Sequence, residues 1–124
     1  MGKTNKKFLR ISPLPRRIYD ELNEAASALG MPMNRVVDVL VASKDLGIGL
    51  ETGRGRGAEF DSGEGAEFVQ WGTHLTPPTK ARLDAESAKL DVYPCEVVRR
   101  LLYAVAGSVQ HAVLTGMEAL AAGK

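Results

Sequence analysis

The feature of this chain that most constrains its fold is an internal repeat at one constant separation. Residues 7–46 and 68–107 carry matching apolar positions, each pair 61 apart (75 − 14, for example). The matching pairs are Leu14 and Leu75, Leu22 and Leu83, Leu29 and Leu90, Val36 and Val97, Val37 and Val98, and Leu40 and Leu101. A constant register predicts two copies of one supersecondary unit. Identity outside these positions is low, so a chance alignment of two ordinary helix pairs stays an alternative.

The repeat divides the chain into four segments. We expect a first unit with a basic N-terminal arm over residues 1–46, a linker over 47–67, a second unit over 68–107 and a C-terminal helical extension over 108–124. The segment 47–67 is rich in Gly and mixed charge and has almost nothing to bury, which is typical of a flexible linker. With 124 residues, the chain is long enough for one compact domain.

Each copy begins with a short β-prone stretch, residues 8–12 and 68–75, and continues with two helices separated by a break. Thr76 and Pro77 predict the start of the second copy's first helix, whereas Ser12-Pro13 and Pro15 offer two starts in the first copy. The break is residues 30–32 in one copy and 91–94 in the other, and Gly30 is suited to a left-handed helix end. The second helix of each copy is rich in valine and leucine, and after Val105 its apolar positions continue at every fourth residue.

Two stretches of the sequence resemble a known family. "HLTPPTKARLDAESAKLDVYPCEVVRRLL" and "RRIYDELNEAASALGMPMNRVVDVLV" resemble the strand end, capped first helix, turn and valine-rich second helix of the ribbon-helix-helix family. The resemblance implies a mostly α fold with a short antiparallel two-stranded ribbon. Family members are normally dimers whose ribbon enters the DNA major groove. Since both units lie in one chain, we expect a tandem ribbon-helix-helix pseudo-dimer that is monomeric in solution, with one or several copies on a DNA site.

The phase of each strand determines which side chains would face DNA. If the alternation of side chains is counted back from Leu14 without interruption, Arg10 and Ser12 face the core. If residues 13–15 contain an insertion, Leu9 and Ile11 face the core instead. We prefer the second phase, because burying an unpaired arginine is costly. Phe8, Arg10 and Ser12 then face outward in the first strand, and Gln70, Gly72 and His74 do so in the second, with Trp71 and Thr73 inward. A slip of one residue would reverse each assignment.

Further candidate contacts lie outside the strands. The first 19 residues contain Lys3, Lys6, Lys7, Arg10, Arg16 and Arg17 and no acidic residue, although the net charge is only +1. Such a local excess is typical of phosphate binding, with Lys6 and Lys7 as candidates and a solvated tail as the alternative. Asn34, Arg35 and Cys95 lie near the starts of the second helices, where a helix N-terminus suits a phosphate and backbone contacts matter more than side-chain identity.

Other function classes find little support in the sequence. The one cysteine, Cys95, has no Cys or His neighbours at metal-ligand spacing, and no catalytic or nucleotide-binding motif follows a strand. We therefore expect no enzyme activity, no metal and no cofactor. No apolar run has the length of a membrane span, and no signal peptide is apparent, so a cytoplasmic location is expected.

The sequence thus predicts sequence-specific binding of double-stranded DNA. Its use would be transcriptional repression or assistance at a plasmid transfer origin, since tandem arrangements of this kind resemble accessory proteins of conjugation. A different class stays open. The C-terminal helix has an apolar stripe over residues 109–120 that could bind a partner protein, as in an antitoxin. Packing of this helix on the bundle is the alternative explanation of the stripe.

Overall fold

The computed structural model describes residues 7–11, 14–44, 68–69 and 71–123. The predicted linker and the candidate residues Lys6, Ser12 and Gln70 lie outside them. The described residues form four short strands and five helices: β1 Lys7–Arg10, β2 Leu14–Pro15, α1 Arg16–Leu29, α2 Met33–Ser43, β3 Phe68–Val69, β4 Gly72–Leu75, α3 Pro77–Leu90, α4 Pro94–Val105 and α5 Val109–Gly123. The expected mostly α fold with a small two-stranded antiparallel sheet is confirmed.

The helices repeat the separation seen in the sequence. The starts of α1 and α3, and those of α2 and α4, are each 61 positions apart (77 − 16 and 94 − 33). Both first helices end on a left-handed residue, Gly30 with φ 67° and Asp91 with φ 58°. Glycine adopts this conformation without a steric penalty, and aspartate tolerates it better than most residues. The two chain segments therefore build the same helix pair with the same turn.

The strands pair between the two copies. β1 runs antiparallel to β4, from Lys7 opposite Leu75 to Arg10 opposite Gly72. β2 pairs with β3 in the same way, with Leu14 opposite Val69. Between these ladders the first copy has residues 11–13 and the second only residues 70–71, so the first copy carries one extra residue. One inserted residue changes the face to which later side chains point, which explains why Ile11 and Leu14 are both fully buried.

The core lies beneath the ribbon and is shared by both copies. α2 packs against β4 and α3 of the second copy as well as against α1. Its residues 36–41 are all buried, as are Val97, Val98, Leu101, Leu102 and Tyr103 of α4. Burial of an isolated strand's apolar side requires a partner, and here each copy supplies it to the other.

The C-terminal segment forms a separate helix instead of extending α4. The backbone turns at Gly107, whose φ of 92° ends the continuation that the apolar spacing allowed. α5 then packs across α1 and α2 of the first copy. Its inner face buries Val109, Ala112, Val113 and Gly116.

Candidate nucleic-acid interface

The β1–β4 ribbon has one buried face and one exposed face. Ile11, Thr73 and Leu75 have no solvent exposure, and Leu9 packs against the core. Because successive side chains alternate across a strand, Arg10 and His74 point away from the core, and both are exposed. The structure therefore has the second of the two strand phases, with Leu9 and Ile11 inward.

Positions on the outer face differ along the ribbon. Arg10 lies opposite Gly72, so no side chain on β4 stands directly across from the guanidinium. His74 lies opposite Phe8, whereas the backbone of Lys7 pairs with that of Leu75, a residue of the buried face. Trp71 is half-buried with its ring against Tyr19 at 6.0 Å between centroids, which places it with the core as the sequence predicted.

Asn34 fixes the edge of β4 to the start of α2. Its Oδ1 accepts hydrogen bonds from the Thr73 hydroxyl at 2.9 Å and from the His74 backbone N–H at 3.2 Å. Since a backbone N–H can only donate, the side-chain oxygen must be the acceptor. The Asn34 side chain therefore positions the ribbon, a role that the sequence did not predict.

Asp38, one helical turn further along α2, holds the start of α3. Its Oδ1 accepts a hydrogen bond from the Thr76 backbone N–H at 2.9 Å, and the Thr76 hydroxyl lies 3.2 Å from the same oxygen. Thr76 is the N-cap residue that the sequence predicted, but its hydroxyl bonds Asp38 and Thr79 instead of the helix backbone. Sequence reasoning missed Asp38. Its position inside the valine-rich run VVDVLV was the available signal, because buried carboxylates need partners.

These contacts build a corner of the surface beside the ribbon, which we call the α2 corner. It borders an open cleft of about 320 Å³ lined by Pro32, Asn34, Arg35, Asp38, His74 and Thr76. The Arg35 side chain is 53% exposed, and its Nη1 lies 3.9 Å from Asp38 Oδ2. The α2 corner thus presents a guanidinium next to the outer face of β4, a chemistry that suits a phosphate oxygen.

Cys95 lies in a different place, which we call the α4 corner. It is half-buried and lines a cavity of about 600 Å³ together with Asp91, Tyr93 and Glu96. The structure therefore groups Asn34, Arg35 and His74 around one cleft and places Arg10 opposite Gly72 on the ribbon, but it puts Cys95 among acidic neighbours. Arg16 and Arg17, from the basic segment, are exposed in the first turn of α1.

Other chemistries are not apparent in the described part of the chain. It contains no group of three or more His, Cys, Asp or Glu side chains that could hold a metal ion. None of its helices combines the length and apolar character needed to cross a membrane. Comparison with known proteins gives no matching family model, no matching curated protein and no matching solved structure.

Proposed function

We propose that this protein binds double-stranded DNA by laying the outer face of its β1–β4 ribbon in the major groove. The observation that carries the proposal is a two-stranded ribbon with one face buried in the core and the other presenting Arg10 and His74 to solvent. A two-stranded ribbon has the width of the major groove and can place side chains against base edges.

The chemistry of the outer face suits base recognition. An arginine can donate two hydrogen bonds to O6 and N7 of guanine, and Gly72 opposite Arg10 leaves room for the guanidinium to take that orientation. We expect Arg35 in the α2 corner to contact the DNA backbone beside the groove. Phosphate contacts fix the register of a protein on DNA, and base contacts supply its specificity.

The repeated helix pair supports a tandem ribbon-helix-helix pseudo-dimer as the finer description of the fold. In such an arrangement the two strands of the ribbon differ in sequence, so the two halves of the DNA site differ as well. The biological use we propose is transcriptional repression or assistance at a plasmid transfer origin.

A protein-interaction function through α5 is the second candidate. The inner face of α5 is already occupied, because Val109, Val113 and Gly116 pack on the first copy. Three larger apolar side chains remain exposed on the outer side: Leu114 at 42%, Met117 at 36% and Leu120 at 39%. They would form the contact surface in this second interpretation.

Selection of bound sequences from a random DNA library tests the first candidate. We expect binding at 50 mM salt and an asymmetric consensus. Arg10→Ala should weaken binding to the selected site by about 1–3 kcal/mol and relax specificity in one half. The melting temperature of the Arg10→Ala variant should equal that of the wild type, since Arg10 is exposed.

Lys89→Ala is the control, because Lys89 is an exposed cation at the end of α3. It should leave the consensus unchanged. Absence of binding to genomic and random fragments at 50 mM salt would reject the proposal and favour the α5 interaction surface. Equal loss in both halves for Arg10→Ala would reject the assigned role of the ribbon.

A further inference from the structure

The α2 and α4 corners are equivalent in the repeat, but the turn segments 30–35 and 91–96 that form them carry opposite charges. Residues 30–35 read GMPMNR and residues 91–96 read DVYPCE, so Arg35 corresponds to Glu96 and Gly30 to Asp91. The first segment carries one positive charge and the second carries two negative charges. The backbone is the same in both, since a left-handed residue precedes a helix that starts three positions later.

The charged groups in the two corners also differ in what surrounds them. Arg35 is about half exposed beside the ribbon, and Asp38, its ion-pair partner at 3.9 Å, is buried and hydrogen-bonded to Thr76. The Asp38 carboxylate is thus shared between Thr76 and Arg35, and the Arg35 guanidinium keeps about half of its surface open to solvent.

In the α4 corner the acidic groups reach the surface. Asp91 is exposed. The Glu96 carboxylate lies 2.7 Å from Arg100 Nε and 3.5 Å from Arg99 Nε, so it offsets the two cations that follow it on α4. A phosphate approaching this corner would meet two carboxylates and two arginines that are already paired.

We propose that the protein holds the DNA backbone on one side of the ribbon only, through Arg35 in the α2 corner, while Asp91 and Glu96 keep the α4 corner away from phosphates. This inference rests on the proposed DNA-binding function and adds a polarity to it. The protein then binds its site in one orientation, defined by backbone contacts as well as by bases.

Phosphate ethylation interference on the selected DNA site tests this polarity. We expect interference on one flank of the ribbon's footprint in the wild type. Arg35→Gln should remove that interference and flatten the log–log dependence of affinity on salt by about 0.9, the value of one phosphate contact.

Removing the acidic groups of the α4 corner should create a phosphate contact on the second side of the ribbon. Asp91→Asn with Glu96→Gln removes both carboxylates, and asparagine is tolerated in the left-handed conformation at position 91. We expect interference to appear on the second flank and the salt dependence to steepen. The matched control is Asp84→Asn with Glu86→Gln, which removes two acids from α3, each paired with a lysine. Melting temperatures verify that all variants fold.

The outcomes separate this inference from the function on which it rests. Interference on both flanks of the wild-type complex would overturn the polarity and leave DNA binding intact. An equal gain from the α3 control would also overturn it, because general charge would then explain the effect. Failure of the wild type to bind any DNA at 50 mM salt would instead overturn the proposed function, and the polarity with it.

Discussion

At the scale of single residues, two polar side chains of α2 join the copies. Asn34 binds the edge of β4, and Asp38 binds the backbone at the start of α3. Their equivalents in the second copy are Cys95 and Arg99, which have different chemistry. The contact between the two segments therefore includes hydrogen bonds from α2 side chains. These side chains supply acceptors for backbone N–H groups of β4 and of the start of α3.

Replacing Asp38 should destabilise the fold. Asp38→Ala leaves the Thr76 N–H without its acceptor, and an unsatisfied polar group of this kind costs about 1–3 kcal/mol. We expect a loss of that size in the free energy of unfolding, measured by urea denaturation. Asp84→Ala serves as the control, because Asp84 is exposed and its pair with Lys80 contributes at most about 0.5 kcal/mol. A stability equal to the wild type would show that burying the carboxylate costs as much as its bonds return.

The sequence predicted what local patterns determine and missed what depends on contacts between distant residues. The helix pairs, the left-handed Gly30 and the inward Ile11 follow from periodicity, glycine chemistry and the cost of burying arginine. The bonds from Asn34 and Asp38 join residues about 40 positions apart, so no local pattern predicts their partners. The β2–β3 pairing was missed for a related reason, since a two-residue strand has no periodicity to detect.

At the scale of elements, α5 is the part that has no counterpart in the repeat. It lies on the first copy, where the Glu21 carboxylate accepts hydrogen bonds from Gly107 N at 2.8 Å and Val109 N at 3.2 Å. A carboxylate at a helix N-terminus satisfies free N–H groups and interacts favourably with the helix dipole. Lys44 adds a bond from its Nζ to the Thr115 hydroxyl at 3.0 Å. The start and the middle of α5 are thus both attached to the first copy.

Gly116 sets how closely α5 approaches α2. A Cβ at this position would collide with the Ser43 hydroxyl and would also lie tightly against Val39 Cγ1 at 3.1 Å and Ser43 Cβ at 3.2 Å. Gly116→Val should therefore lower the free energy of unfolding by about 1–3 kcal/mol through overpacking. Thermal and urea denaturation measure the loss. Ala119→Val places the same side chain on the exposed face of α5 and is expected to cost less than about 0.7 kcal/mol. Equal losses in the two variants would show that the close approach is not required.

At the scale of the whole molecule, the described parts of segments 7–46 and 68–107 pack against each other. β1 finds its partner in β4, and the buried face of α2 packs on β4 and α3. The apolar residues of both copies form one core. A single copy would leave its strand unpaired and much of α2 uncovered, which a segment of this size cannot sustain.

We expect a monomer in sedimentation equilibrium at micromolar concentration, because both partners of the ribbon are in one chain. A fragment comprising residues 1–46 should be unfolded by circular dichroism and should gain helix when mixed with a fragment comprising residues 68–124. An obligate dimer of the full chain, or a fragment 1–46 that folds alone, would contradict this expectation.

The hydrogen bonds from Gly107 and Val109 to Glu21 also have a consequence for protein synthesis. Glu21 leaves the ribosome before Gly107, 86 residues later in the chain, has been made. At bacterial and eukaryotic elongation rates of 5–20 residues per second, this delay is roughly 4–17 s. During that interval the nascent α1–α2 pair lacks α5, the helix that packs across it. We expect this uncovered apolar surface to attract chaperones until α5 has been synthesised.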